Sequence, residues 1–198
     1  MTSFLADIKT YSLRIREFSR ADWTYYVLWV GLMLGLVFAT GGFLAVGLYG
    51  GAAFPAEAWL VPIGAGIFTV AIAFDTIGHR TVYAEALDSG EGLVHSITIF
   101  LGIGSCVLLC LSYDYPHWFI IPAAVFTLLS FVYSLVDECF HWRRYINGDT
   151  DRVEAWSHVF ILIGHAIMMT GWWTWLYLGY PGVAETLEFL SHPNGVSL

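Results

Sequence analysis

Long uninterrupted apolar runs constrain this chain more than any other feature of its sequence. The run from Tyr26 to Leu48, for example, contains no charged residue, and a helix of about 20 apolar residues is long enough to cross a bilayer. Charged residues make up only 12% of the chain, which is about half the share usual in a soluble domain. These features predict an all-α, polytopic membrane protein and argue against a soluble four-helix bundle.

Five segments have the length and composition of transmembrane helices. They run from about residue 23 to 49, 56 to 79, 91 to 111, 117 to 145 and 152 to 177. The second helix has a pattern that can continue to Leu87, after which the turn residues from Asp88 to Gly92 are predicted to end it. We therefore expect a single transmembrane domain over residues 23–180 and an outer-side tail over residues 181–198.

The first 22 residues carry an amphipathic pattern. Apolar side chains recur at steps of four and three, at Phe4, Ile8, Tyr11, Ile15 and Phe18. This spacing predicts a helix over residues 2–20 with one apolar stripe. Such a helix, in a segment 1–22 at the cytoplasmic face, is expected to lie on the inner membrane surface or to dock onto the ends of the spans or onto a partner subunit.

The basic residues indicate how the chain is oriented in the membrane. All eight lie in three segments: before the first span, at Arg80, and from Arg143 to Arg152. Five spans place these segments on one side, which the positive-inside rule assigns to the cytoplasm. We expect a multi-pass protein of a prokaryotic cytoplasmic membrane, with its N-terminus inside and its C-terminus outside. The chain has no basic patch of the kind that would predict a nucleic-acid partner. Its three cysteines do not form the even, spaced set of a disulfide framework.

An acid and a histidine four residues apart occur four times in the chain. The pairs are Asp75 with His79, Glu91 with His95, Asp137 with His141, and Glu154 with His158. The last two pairs follow the first two at an offset of 62–63 residues, so residues 56–111 and 117–180 are predicted to be two repeated hairpins. The last four spans then form a four-helix bundle with about twofold symmetry, with all four pairs at its cytoplasmic end.

Ionisable residues so close to lipid are costly and indicate a functional site. Mixed imidazole and carboxylate groups suit iron, copper, manganese or zinc. The predicted metal ligands are Asp75, His79, Glu91, His95, Asp137, Glu138, His141, Glu154 and His158. They suffice for two ions with bridging carboxylates, or for one ion whose histidine ligands are oriented by carboxylates. Either Asp137 or Glu138 can be the ligand on the fourth span, and helix-dipole stabilisation explains Glu91 and Glu154 equally well.

The sequence leaves open the role of His165 and two alternative functions of the protein. His165 follows His158 by seven residues, about 10 Å along a helix, and is a candidate extra ligand, axial haem ligand or buried hydrogen-bonding residue. One alternative is therefore a haem-b cytochrome or quinone-linked electron-transfer subunit, although haem needs no carboxylate cluster. Another is a metal-ion transporter or sensor, although the outer half of the spans lacks ionisable groups except Glu57 and His117 at the ends.

The pattern of acids and histidines over residues 70–165 resembles the C subunit of the copper membrane monooxygenases for methane and ammonia. Asp75, His79 and His95 match the Asp-His-His metal site of that family, and Asp137, His141 and His158 match its adjacent Asn-His-His site. Two departures are that Asp137 stands in place of Asn and that the Arg-Asp and Phe-Thr-Pro string between the histidines is absent. The resemblance implies copper and oxidative chemistry.

Together these observations predict a metal-dependent membrane oxidoreductase, of oxygenase type or a subunit of such a complex. Its substrate is expected to be lipophilic or small and apolar, and to react near the inner interface. A chain of 198 residues with no predicted soluble domain needs an external electron donor. The expected partners are therefore a redox partner or other membrane subunits, besides the lipid bilayer and a second copy of the chain.

Overall fold

The computed structural model describes residues 4–82, 89–147 and 152–192, and within these ranges the chain is helical, with no strand. The α-helices are α1 Phe4–Leu13, α2 Arg20–Tyr49, α3 Leu60–Thr81, α4 Ser89–Leu111, α5 Pro116–Asn147, α6 Arg152–Tyr177 and α7 Val183–Ser191. Two short 3₁₀ helices, Arg14–Glu17 and Ala56–Trp59, precede α2 and α3. The predicted all-α fold is confirmed.

Helices α2 to α6 are each long and apolar enough to cross a membrane, as the apolar runs predicted. Their bounds lie within a few residues of the expected ones, and α6 has the predicted bounds. Helix α4 begins at Ser89, so Gly90 and Gly92 belong to its first turns and not to the predicted helix-breaking turn. The expected continuation of the second span to Leu87 lies outside the described residues.

The most extensive helix packing connects the two repeats. Helix α3 packs chiefly against α6, and α4 packs chiefly against α5. Since α3 corresponds to α5 and α4 to α6 in the repeat, the twofold relation exchanges these two packed pairs. A Cβ added at Gly164 of α6 would lie 2.6 Å from the backbone nitrogen of Phe68, so glycine is needed where α3 and α6 approach. This close contact sets how far along the bundle axis each residue of α3 lies relative to α6.

The N-terminal segment docks onto the bundle instead of forming one continuous helix. The predicted helix over residues 2–20 is interrupted, because Phe18 is extended and Ser19 caps α2 in a reciprocal capping box with Asp22. Helix α1 then packs against α3 and α6. Tyr11 is buried against Ile77 and Val153, and Asp7 forms an ion pair with Arg152. Of the locations expected for this segment, the structure shows docking onto the ends of two long helices.

The other end of the bundle is closed by the C-terminal segment. Helix α7 packs against α2, with Val183 and Thr186 buried. The Tyr180 hydroxyl donates a hydrogen bond to the carbonyl oxygen of Leu109, at 2.7 Å. Leu187 and Leu190 of this helix are exposed, and Phe189 between them is half-buried. The acid and histidine pairs therefore lie at the end of the bundle opposite α7.

Candidate metal centre

All described members of the predicted metal site lie at one end of the α3–α6 bundle, near the C-terminal ends of α3 and α5 and in the first turns of α4 and α6. Spacing of four residues puts each acid and its histidine on one face of a helix. Because α3 packs on α6 and α4 on α5, these faces converge. We call the resulting set the His/carboxylate cluster; it consists of Asp75, His79, His95, Asp137, Glu138, His141, Glu154 and His158.

Three histidines from three helices form the centre of this cluster. His79, His141 and His158 each offer a ring nitrogen, and these nitrogens lie within 4.8 Å of one another. Three nitrogens that share one tetrahedral ion at bond lengths of about 2.1 Å lie about 3.4 Å apart. Side-chain rotations that bring the three nitrogens closer by up to about 1.4 Å would therefore place them on a single ion. The His141 and His158 rings are stacked, with centroids 3.3 Å apart.

Asp75 connects two of these histidines. Its Oδ1 lies 2.8 Å from His158 Nε2 and 3.3 Å from His79 Nε2, and the residue is buried, with 4% exposure. Neighbouring ligands of a tetrahedral ion with bonds of about 2.0–2.1 Å are about 3.3 Å apart. Asp75 can therefore bind the same ion as His79 and His158, or hold both rings in place.

Asp137 occupies the equivalent position in the other repeat. Its Oδ2 lies 3.3 Å from His95 Nδ1 and 3.9 Å from His141 Nε2. Asp75 likewise contacts the histidine four residues later on its own helix and the second histidine of the other repeat. Asp137 thus has the place that the repeat predicts for it. The two halves differ in exposure, because the His95 side chain is 34% exposed and that of His158 only 2%.

Glu138 and Glu154 each contact a further ring nitrogen of a histidine in the cluster. Glu138 Oε1 lies 3.3 Å from His158 Nδ1, and Glu154 Oε1 lies 2.9 Å from His141 Nδ1. A carboxylate on one ring nitrogen fixes the tautomer that leaves the other nitrogen for a metal. With Nδ1 paired to Glu154, His141 has Nε2 as its ligating atom. Asp137 and Glu138, the two alternative ligands predicted on the fourth span, therefore both contact histidines of the cluster.

His79 brings two buried ring nitrogens into the cluster. Both of its ring nitrogens are buried, and neither has a hydrogen-bond partner among the described residues; the 3.3 Å approach of Nε2 to Asp75 is outside hydrogen-bond geometry. Asp137 Oδ1 is buried and unpartnered in the same described part of the chain. An unsatisfied buried polar group costs about 1–3 kcal/mol. Coordination of a metal ion would satisfy both residues.

The charge of the cluster also favours a cation. Four carboxylates, from Asp75, Asp137, Glu138 and Glu154, face the four histidines, and the guanidinium of Arg144 contacts Glu154 at 3.2 Å. Asp75, Asp137 and Glu154 are buried. Buried carboxylates need neutralising partners, and the Arg144 contact accounts for one of the four acids. A divalent ion, or protons on the imidazoles, would supply the balance.

Arg144 is the member of this network that sequence reasoning missed. Its Nη2 donates a hydrogen bond to Glu154 Oε1 at 3.2 Å and lies 2.6 Å from His141 Nδ1. The available signal was its spacing, since a residue three positions after His141 lies on the same helix face. The side chain of Glu91 lies outside the described residues, although its backbone belongs to the first turn of α4.

His165 lies apart from the cluster. It is 4% exposed, its Nε2 is 3.5 Å from the Ser130 hydroxyl, and its ring stacks on Phe131 with centroids 4.4 Å apart. These contacts are those of a buried hydrogen-bonding residue, one of its three expected roles. His165 nevertheless lines the same cavity as Asp75 and His158.

This cavity has a volume of about 220 Å³ and extends from the cluster into the apolar part of the bundle. Its polar end is formed by Asp75, His95, Asp137, Glu138 and His158. Most of its remaining wall is aliphatic or aromatic. A buried polar site at the end of an apolar cavity is the usual arrangement for binding a small organic molecule.

No family model, curated protein or solved structure matches this chain. The resemblance to the copper monooxygenase subunit therefore stays a prediction.

Proposed function

We propose that this protein is a membrane-embedded, metal-dependent oxidoreductase whose centre lies in the His/carboxylate cluster. The observation that carries the proposal is the convergence of ring nitrogens of His79, His141 and His158 within 4.8 Å, with neither His79 ring nitrogen hydrogen-bonded to another described residue. Three imidazoles and an adjacent carboxylate form a ligand set typical of transition metals. Asp75 would be the fourth ligand.

The types of ligand in the cluster limit which metals can bind there. Imidazole with carboxylate suits iron or copper best for redox chemistry, whereas manganese and zinc are also compatible with these groups. Calcium and magnesium prefer sites made of oxygen ligands alone. A haem iron uses one or two protein ligands and has no need of a cluster of carboxylates. The excess of acids therefore favours bare metal ions over haem.

The second half of the cluster supports a second ion. Asp137 and His95 repeat the contact of Asp75 with His158 at a slightly longer distance, 3.3 Å against 2.8 Å. Glu138 lies against His158, between the two halves. A carboxylate in that position is suited to bridge two ions or to orient the ligands of one.

The surroundings of the cluster favour catalysis over transport. The cavity that reaches it is walled mainly by apolar side chains, and His165 and Met168 are among its lining residues. An ion path through the bundle would need polar groups along its length. An apolar cavity instead excludes water and admits a lipophilic substrate. A metal centre at its end can transfer electrons to or from such a substrate, with electrons exchanged with a separate donor protein.

The orientation follows from the positive-inside rule. Arg80, Arg144 and Arg152 lie in the same helix turns as the cluster or next to them, and the basic N-terminal segment docks at this end. We place this end at the cytoplasmic face of a prokaryotic inner membrane. The electron donor would then be a cytoplasmic protein or another membrane subunit.

Elemental analysis tests the proposal. Purified protein should contain about one or two ions of iron, copper, manganese or zinc per chain, as set by the number of available ligands. His79→Ala and His141→Ala should each lower this content to less than about half. His117→Ala is the control, because His117 lies in the first turn of α5 at the other end of the bundle. Metal at background level in the wild type, or unchanged content in His79→Ala, would contradict the proposal.

A further inference from the structure

We infer that the cavity beside the cluster binds a single unbranched alkyl chain, which enters from the lipid between α2 and α4. This inference rests on the proposed function, because it identifies the substrate class of the same centre. The chain would lie along the bundle axis with one end at the His/carboxylate cluster. Four sets of observations support it: the wall of the cavity, its opening, its shape and its polar end.

The cavity wall includes one stripe from each of two helices. On α2 the lining residues are Trp29, Leu32, Met33 and Leu36, which recur at helical spacing along one face. On α4 the lining residues from His95 to Val107 follow one another at alternating steps of three and one, which keeps them on one face of the helix. The two stripes therefore face a common space. All lining residues of α2 are apolar, so this side of the wall suits hydrocarbon.

The gap between α2 and α4 forms the opening. Helix α2 packs chiefly on α3, and α4 packs chiefly on α5; α2 and α4 have no substantial contact in the described ranges. Residues of both stripes remain accessible, with Leu32 49% and Val107 52% exposed. Met33, deeper in the same wall, is only 5% exposed. Because α2 and α4 are both candidate membrane spans, this opening would face lipid chains and not water.

The shape of the cavity selects a chain over a ring system. Its lining on α6 extends from His158 to Met168, about 15 Å along a helix. A volume of about 220 Å³ is roughly one and a half times that of a protein cavity that holds benzene. Spread over such a length, this volume leaves a narrow space. A single unbranched chain fits it, whereas fused rings need greater width.

The cluster end is the only strongly polar part of the described wall. Asp75, Asp137 and Glu138 contribute carboxylates there, with His95 and His158 beside them. Farther along, the Thr98 hydroxyl donates to a backbone carbonyl of its own helix, and His165 contacts Ser130. These groups are already hydrogen-bonded, so the ligand need not offer them a hydrogen-bond partner. The end of the chain nearest the metal centre would be the part that reacts.

Gly102 allows the cavity to be filled without disturbing the packing. It lines the cavity, and a Cβ added there would meet nothing within 4 Å. Gly102→Leu should therefore fold and occupy the space of the chain. Gly35→Leu is the matched control, because it adds the same side chain to an exposed face of α2 with nothing within 4 Å. Neither substitution touches a residue of the His/carboxylate cluster.

The test is photolabelling of the protein in nanodiscs with a diazirine-bearing decyl chain. We expect labelled peptides from the facing stripes of α2 and α4, including Met33 and Cys106. Labelling there should fall to about a tenth in Gly102→Leu and stay at the wild-type level in Gly35→Leu. Excess decane should compete, and decalin, which has the same number of carbons in two fused rings, should not.

Two outcomes would overturn the inference. One is equal labelling of the cavity stripes in Gly102→Leu and the wild type, and the other is equal competition by decalin and decane. Metal content measured on the same samples separates this inference from the proposed function. A Gly102→Leu protein that keeps its metal but loses labelling supports both, whereas a metal-free wild type that labels as expected contradicts only the metal centre.

Discussion

Asp75 Oδ1 lies 2.8 Å from His158 Nε2, and this contact joins the first repeat of the chain to the second. The equivalent contact, between Asp137 and His95, joins the repeats in the reverse sense at 3.3 Å. Each acid also lies near the histidine four residues later on its own helix. The cluster is therefore assembled from both repeats, and neither hairpin alone contains a complete set of contacts.

The contact between Asp75 and His158 should be needed for tight metal binding. Asp75→Asn keeps the size of the side chain but removes the charge that attracts the ion and orients two rings. We expect metal affinity to fall about 10- to 100-fold, as measured by competition with a chelator of known affinity. Asp114→Asn, at an exposed position in the opposite turn, should bind metal like the wild type. Equal affinity of the two variants would exclude Asp75 as a ligand or orienting group.

Arg144 should stabilise the folded protein through Glu154. Glu154 is 1% exposed, and removal of the arginine takes a permanent cation away from this buried carboxylate. We expect Arg144→Gln to lower the free energy of unfolding by about 2 kcal/mol, measured by thermal denaturation in detergent. The neighbouring Arg143 is exposed, so Arg143→Gln should change stability by less than about 0.5 kcal/mol. If both variants unfold like the wild type, the pair with Glu154 contributes nothing.

Gly164 should be required for the approach of α3 to α6. A methyl group at this position would press on the backbone at Phe68 and Gly64, and backbone atoms cannot rotate away. Gly164→Ala should therefore lower stability by about 1–3 kcal/mol and reduce metal content, since His79 and His158 lie on these two helices. Gly35→Ala, where the added group meets nothing, should be neutral or slightly stabilising. A Gly164→Ala protein as stable as Gly35→Ala would show that the two helices can separate without cost.

Tyr11 should anchor the N-terminal helix to the bundle. Its side chain is 2% exposed and packs with Ile77 and Val153, whereas Leu5 on the same helix is 77% exposed. We expect Tyr11→Ala to lower the free energy of unfolding by about 3 kcal/mol and to increase proteolysis between residues 4 and 19. Leu5→Ala should leave both properties unchanged. Equal protease resistance of Tyr11→Ala and the wild type would indicate that α1 is held by other contacts.

The sequence predicted the fold and the membership of the cluster because both depend on periodicity. Apolar runs determine where long helices form, and a spacing of four residues places Asp75 and His79 on one face. Which acid meets which histidine across the bundle depends on how helices pair, and periodicity does not specify partners. The contacts of Asp75 with His158 and of Asp137 with His95 therefore needed the structure, as did the cavity between α2 and α4.

Two local features have a signal in the sequence. Ser19 and Asp22 have the spacing of a capping box, which would have ended the N-terminal helix before residue 20. Arg144 lies one turn after His141, in reach of the same cluster. The docking of α1, in contrast, depends on surfaces of α3 and α6 that come together only in the folded bundle. The amphipathic stripe indicated that a partner surface exists, but not which one.

X-ray absorption at the edge of the metal bound to the purified protein tests the central claim most directly. The wild type should show the multiple-scattering pattern of imidazole, with nitrogen or oxygen ligands at about 2.0–2.2 Å. The imidazole contribution should be weaker in any ion retained by His79→Ala and unchanged in His117→Ala. A wild-type spectrum without imidazole scattering, or one that is identical in His79→Ala, would contradict a metal centre built on His79, His141 and His158.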